Sequence, residues 1–82
     1  MVERGSGPVV ELDFHNTLVK DAQRELTSYL SHAPDSVREV RVIHGYHGGT
    51  ALRDMIRYHF HHPRIKTKMI ALNPGETRLI LK

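Results

Sequence analysis

The chain has no cysteine among its 82 residues. That absence excludes a disulfide-stapled secreted scaffold, a thiolate zinc site and a cysteine nucleophile, and it fits a reducing, cytoplasmic compartment. Long apolar runs are missing as well. No stretch approaches the roughly 18 residues that a membrane span requires, and no apolar region follows the N-terminus as it would in a secretory leader. No membrane partner is therefore expected. Length is scarce too. A chain of 82 residues leaves no room for two domains when one usually takes about 100 to 150, and a core this small must be stabilised by packing alone. The sequence contains no internal repeat or low-complexity tract. Its apolar fraction of 39% and charged fraction of 26% are those of a folded rather than a disordered chain.

Charge is unevenly spread. Twelve Lys and Arg oppose nine Asp and Glu, for a net +3. Residues 1–42 carry five basic and seven acidic side chains, net −2, whereas residues 43–82 carry seven basic and two acidic, net +5. The basic half also holds five of the seven histidines: His44, His47, His59, His61 and His62. Such a half suits a polyanionic partner, DNA or RNA. It is equally what keeps a small domain soluble.

Residues 1–7 (MVERGSG) show no apolar periodicity and two glycines, so they read as a flexible lead-in or linker stub ahead of a domain spanning 8–82. From Val9 to His15, Val10, Leu12 and Phe14 alternate with Glu11, Asp13 and His15, the period of a strand with one buried face. Asn16 and Thr17 are turn and N-cap types, and Val19, Ala22, Leu26, Tyr29 and Leu30 recur at helical spacing, which predicts a helix over 18–32. Pro34 marks a connection, and Val37 to His44 alternates again as a second strand. The glycine-rich loop 44–49 leads into a second helix, capped by Thr50 and ended near His62 by Pro63. Ile65–Leu72 and Thr77–Leu81, joined by Asn73-Pro74-Gly75-Glu76, predict an antiparallel hairpin. The order βαβαββ gives an α+β sandwich: a four-stranded mixed sheet with its first two strands parallel and both helices on one face.

Parallel neighbours place their C-terminal ends side by side, where ligands of open α/β sheets bind. The first strand delivers Asp13 and His15 to that edge, and the second delivers His44 and the glycines of its loop. A carboxylate can fix the tautomer of a histidine, and two imidazoles can supply a base and an acid near neutral pH, so Asp13, His15 and His44 form a candidate phosphodiester-cleaving site. Gly45, Gly48 and Gly49 with the following helix N-terminus, joined by His47 and Arg53, form a candidate phosphate cradle. Lys66 and Lys68 share one strand face, which Arg41 and Arg78 extend into a candidate nucleic-acid platform. Each feature has a plainer reading beside it. The loop can be a tight connection, Asp13 a turn cap, His15 a solvated strand end, and the basic residues a wet surface. The cluster His59, His61 and His62 reads as exposed rather than metal-binding, since adjacent helical residues diverge by about 100 degrees.

Leu12-Asp13-Phe14-His15 followed by Asp21-Ala22 resembles the LDLHG...EA opening of the Smr (small MutS-related) domain. His44-Gly45-Tyr46-His47-Gly48-Gly49 with Leu52-Arg53 resembles its HGxGxG...LR segment, and Gly75 to Leu81 resembles its closing strand. The three blocks occur in order and span nearly the whole chain. The resemblance implies a fold similar to the C-terminal domain of bacterial translation initiation factor three. It also implies a nicking or RNA-cleaving endonuclease or a nucleic-acid-binding module, often appended to larger repair, recombination or ribosome-associated proteins. By resemblance, Asp13 and His15 match the catalytic D-x-H, and His44, Gly45 and Gly49 match the glycine loop. Asn16 and His47 replace family glycines.

Two functions follow as expectations. One is an endonuclease, with His15 or His44 as base and acid and Asp13 as an orienting carboxylate, or as a Mg²⁺ ligand if the substrate is DNA. The other is a non-catalytic DNA- or RNA-binding module, with the ribosome or a larger parent polypeptide as further partners. A His-rich metal-binding domain ranks below both.

Overall fold

The computed structural model describes residues 1–45 and 50–82. Five strands form one sheet in the order β1-β2-β3-β5-β4, comprising β1 Val2–Arg4, β2 Val9–Asp13, β3 Glu39–Ile43, β4 Ile65–Ile70 and β5 Glu76–Leu81. Helix α1, Val19–His32, connects β2 to the parallel β3. Helix α2, Ala51–Asp54, runs directly into a π-helical turn, Met55–His59. The α+β class and the mixed sheet are those expected from the sequence, and among the described residues no helix is long and apolar enough to cross a membrane.

One hydrophobic core lies between the sheet and the helices. Alternate residues of three strands, Val10 and Leu12, Val40 and Val42, Leu79 and Leu81, meet Ala22, Leu26 and Leu30 of α1 and Met55, Ile56 and Phe60 of the second helical segment. The four-residue spacing in α1 puts its small and branched side chains on a single stripe. Phe14, just past the end of β2, is fully buried in the same cluster. The opposite face of the sheet is open and carries ion pairs among apolar residues such as Val9 and Met69. There Arg4 pairs with Glu11 and Asp13, while Glu39 pairs with both Arg41 and Arg78.

Three expectations are corrected. Val2–Arg4, taken as part of a lead-in, adds an antiparallel edge strand to β2, with Val2 opposite Asp13 and Arg4 opposite Glu11. Gly5, at φ +93°, makes the return possible, because a Cβ there would stand 3.0 Å from the Val9 carbonyl oxygen. The cap of α1 is Leu18, not Thr17, and no side chain bonds to that helix end.

The third correction concerns Lys68, which does not share the open face with Arg41 and Arg78. A register shift between Ile65 and Thr67 makes Lys66 the extra residue of a bulge and sets Lys68 opposite the buried Leu79. The π turn explains what Lys68 does there. Phe60 N–H bonds to the Met55 carbonyl at 2.7 Å, one residue further back than in an α-helix, which leaves later carbonyls unpaired. The Lys68 ammonium donates to the carbonyls of Ile56 (2.8 Å), Arg57 (3.4 Å) and Phe60 (2.5 Å). Burial lowers its pKa below the ordinary lysine value.

Lys68 is therefore a helix-terminating residue. Replacing Lys68 with Met is expected to cost about 1–2 kcal/mol in urea unfolding, because three carbonyls lose a charged donor. Replacing the exposed Lys66 with Met should stay within about 0.5 kcal/mol.

Candidate functional site

The parallel pairing of β2 with β3 ends at Asp13 opposite Ile43, and Phe14 N–H reaches the Ile43 carbonyl at 2.8 Å, so the two strand tips remain joined beyond the ladder. The chain then leaves β2 in a tight turn. Asp13 Oδ1 accepts the backbone N–H of His15 at 3.1 Å, and Asn16 takes the left-handed conformation at φ +64°. An asparagine tolerates this conformation where most side chains are strained, which accounts for its standing where the family pattern has glycine.

The same Asp13 Oδ1 lies 2.5 Å from Nδ1 of His15. Oδ2 of the carboxylate accepts from an Arg4 guanidinium nitrogen at 3.0 Å. Burial favours the neutral acid and is the largest single influence on Asp13, yet the bonds from His15 and Arg4 together outweigh it and hold the pKa at about 2 against an ordinary 3.8. Asp13 is thus an ionised acceptor. It follows that Nδ1 of His15 carries a proton and donates it to Asp13, so that in the neutral ring Nε2 is the nitrogen with the lone pair. The imidazole is more than half exposed, whereas the Asp13 side chain keeps 11% of its surface accessible. This is an imidazole anchored by a largely covered carboxylate and open to solvent. The depressed pKa of Asp13 contributes stability that is complete above pH 3.8 and is lost as pH falls towards about 2.

Gly45 stands next to this pair. It adopts φ +73°, and a Cβ placed on it would lie 3.6 Å from Cβ of His15. The N–H groups of His44 and Gly45 both bond to the Gly75 carbonyl, at 2.9 and 3.0 Å, so the β4–β5 turn fixes the start of the glycine loop. The expected residues His47, Gly48 and Gly49 lie outside the described residues.

His44 differs from the expectation. Its side chain is buried, and both ring nitrogens are engaged: Nδ1 donates to the Gly45 carbonyl at 2.9 Å, and Nε2 meets Thr77 Oγ1 at 2.9 Å. Arg57 Nε donates to the same threonine oxygen at 2.7 Å and an Arg57 Nη to the Glu76 carbonyl at 3.1 Å. Thr77 accepts from Arg57 and can therefore give its hydroxyl proton to Nε2, which suits a neutral imidazole. Burial pushes the His44 pKa below its ordinary value, and the charges of Arg57 and Arg53 push the same way. The structure thus joins Asp13, His15 and Gly45 and turns His44 inward as a neutral strut. The signal was in the alternation: His44 shares its parity with Val40 and Val42, while Asp13 has that of Glu11.

The remaining candidates divide as well. Arg53 is half-buried near His44 and bonded to Asp54. Glu39 grips Arg78 at 2.8 and 3.0 Å and Arg41 at 2.7 Å, and Arg78 and burial, then Arg41, govern its pKa, which settles at about 2. The two platform arginines therefore share a single carboxylate on the sheet. Arg4, Arg57 and Thr77 were missed. No pattern marks Arg4, while Thr77 carried the signal of a polar residue in phase with Leu79 and Leu81.

Mg²⁺ does not fit these donors. Both oxygens of Asp13 are committed to His15 and Arg4, and among the described residues no three His, Cys, Asp or Glu side chains converge.

Neutral His44 gives folding a signed pH dependence. Below pH 6.5 the unfolded chain takes up a proton that the folded imidazole refuses, so its contribution is complete above that pH and declines beneath it. Melting curves between about pH 8 and pH 5 should show the wild-type Tm falling below pH 6.5, with a shallower fall in His44→Gln. An unchanged slope in the variant would assign the effect to other groups.

A family model for the Smr domain matches residues 12–76. The crystal structure of the Smr domain of Thermus thermophilus MutS2 superposes with a TM-score of 0.77 at 27% identity, covering 88% of this chain and 96% of that one. A comparison with curated proteins found no match. With the sheet order and the strand-tip geometry in place, the family match over most of the chain is decisive: this protein belongs to the Smr domain family.

Proposed function

We propose that this domain binds nucleic acid and cleaves its phosphodiester backbone as an endonuclease, with His15 as the general base. The observation that carries this reading is the Asp13–His15 pair: a carboxylate held ionised at about 2 and a solvent-facing imidazole whose Nε2 is the free nitrogen. Nε2 takes the proton from the attacking oxygen as that oxygen bonds to phosphorus. Asp13 stabilises the imidazolium that results and keeps the ring from turning. The nucleophile is a ribose 2′-hydroxyl in RNA or a water in DNA. His15 then holds a proton that it can return to the leaving oxygen. Arg53 and Arg57, which act electrostatically on the neighbouring His44, supply positive potential on the helix side of the strand tips.

Membership of the Smr family and the net +5 of residues 43–82 support nucleic acid as the partner. The committed oxygens of Asp13 favour a reaction that needs no metal at this carboxylate.

The test is cleavage of single-stranded RNA and of supercoiled DNA, with and without chelator, by wild type, Asp13→Ala, His15→Ala and His44→Gln. Removing a general base is expected to lower the rate by about 100-fold or more, so His15→Ala should be the most impaired. His44→Gln should retain more activity than His15→Ala, and chelator should leave the wild-type rate unchanged. Equal cleavage by wild type and both Asp13 and His15 variants would discard this site. Salt-sensitive binding without any turnover would leave a nucleic-acid-binding module alone.

A further inference from the structure

We infer that Arg4, on the N-terminal edge strand, is a positioning residue for His15. It acts through Asp13 to hold the imidazole in the tautomer whose outer nitrogen can accept a proton. Strand β1 thereby becomes part of the reaction site. The inference deepens the nuclease reading and rests on it for its cleavage arm.

The geometry is a chain of three groups. An Arg4 guanidinium nitrogen donates to Asp13 Oδ2 at 3.0 Å, and Asp13 Oδ1 receives both the backbone N–H and the Nδ1 of His15. A carboxylate with one oxygen on a histidine and the other free can rotate and exchange partners with water. With the second oxygen on a guanidinium, its plane is fixed, and the oxygen left over points along the histidine ring. A ring bonded through Nδ1–H must present Nε2 bare. Without that bond, both neutral tautomers are populated, and one of them presents a proton where a lone pair is needed.

The pairing of β1 with β2 produces this contact. Arg4 lies opposite Glu11, and Val2 opposite Asp13, so an arginine on the open face reaches diagonally along β2 to the strand tip. The guanidinium also contacts Glu11 Oε1 at 3.3 Å, a longer bond that leads nowhere near His15. That second bond supplies the control. If Arg4 only fastens β1 to the sheet, removing either partner should have similar consequences. If it acts through Asp13, the two should differ.

The experiment uses the full chain, labelled with ¹⁵N. The ring nitrogens of His15 are read by NMR at a pH where the ring is neutral, and RNA and DNA cleavage is measured on the same samples. Wild type should show a protonated Nδ1 and a bare Nε2. Arg4→Ala should move both nitrogens towards mixed-tautomer values and lower cleavage by about 10-fold, the scale on which outer supporting residues act. Arg4→Lys, which can still place one charged donor on Oδ2, should restore most of both. Glu11→Gln should keep the wild-type ring pattern.

The inference is overturned if Arg4→Ala leaves the His15 nitrogens unchanged, or if Glu11→Gln reproduces the Arg4→Ala pattern. Should the alanine variant release β1 from the sheet, Arg4→Gln, which keeps most of the aliphatic stem and loses the charge, takes its place. If the wild type cleaves nothing, the ring nitrogens still decide the role of Arg4, and the failure falls on the nuclease reading.

Discussion

The structure depends on the parallel register of β2 and β3. Asp13 opposite Ile43, followed by the bond from Phe14 N–H to the Ile43 carbonyl, brings two strand ends to one level. Parallel pairing of successive strands needs a crossover, and α1 provides it, with its buried stripe of Ala22, Leu26 and Leu30 resting on the valines and leucines of the same sheet face. A slip of one residue would invert every side chain of β2, sending Asp13 and His15 into the core and Leu12 and Phe14 to solvent. The hydrophobic pattern that makes the core therefore also aims the polar residues at the strand tip.

Among the described residues, the polar side chains taken out of water at this tip all have partners. Asp13 has a cation on one oxygen and a histidine on the other, and His44 has an acceptor on one nitrogen and a threonine on the other. Among the described residues no buried side-chain nitrogen or oxygen lacks a partner. Half-satisfied networks are costly in a low-dielectric interior, so the completeness of these two chains is what lets a domain this small carry charge so near its core. The two histidines follow successive strand tips but meet opposite surroundings. One stands exposed beside Asp13 and the other is fixed between Gly45 and Thr77.

Most of the fold was legible in period two and period 3.6, because burial on one face writes itself into alternation. Strands β2, β3, β4 and β5 and helix α1 were found in this way. Strand β1 was not, since all three of its residues are exposed and it is defined by backbone pairing and by Arg4, neither of which leaves an apolar trace. The Lys66–Lys68 platform failed for a related reason: counting by two assumes an unbroken ladder, and the bulge between Ile65 and Thr67 breaks it. For the site, Asp13 and His15 were legible because their spacing is local. Their link to Arg4 spans two strands and follows from register, which no single segment encodes.

The open sheet face carries a further consequence. Its two clusters set Arg4, Arg41 and Arg78 against Glu11, Asp13 and Glu39, three cations against three anions. Opposite charges set this close cancel in large part at longer range, and beyond a Debye length of about 8 Å at physiological salt what remains is screened. The unbalanced charge of the chain lies elsewhere, on the half that contributes Arg53, Arg57 and Arg64. The excess of positive charge is thus displaced from the paired arginines of the pleated surface towards the helical segment and the rim of the sheet.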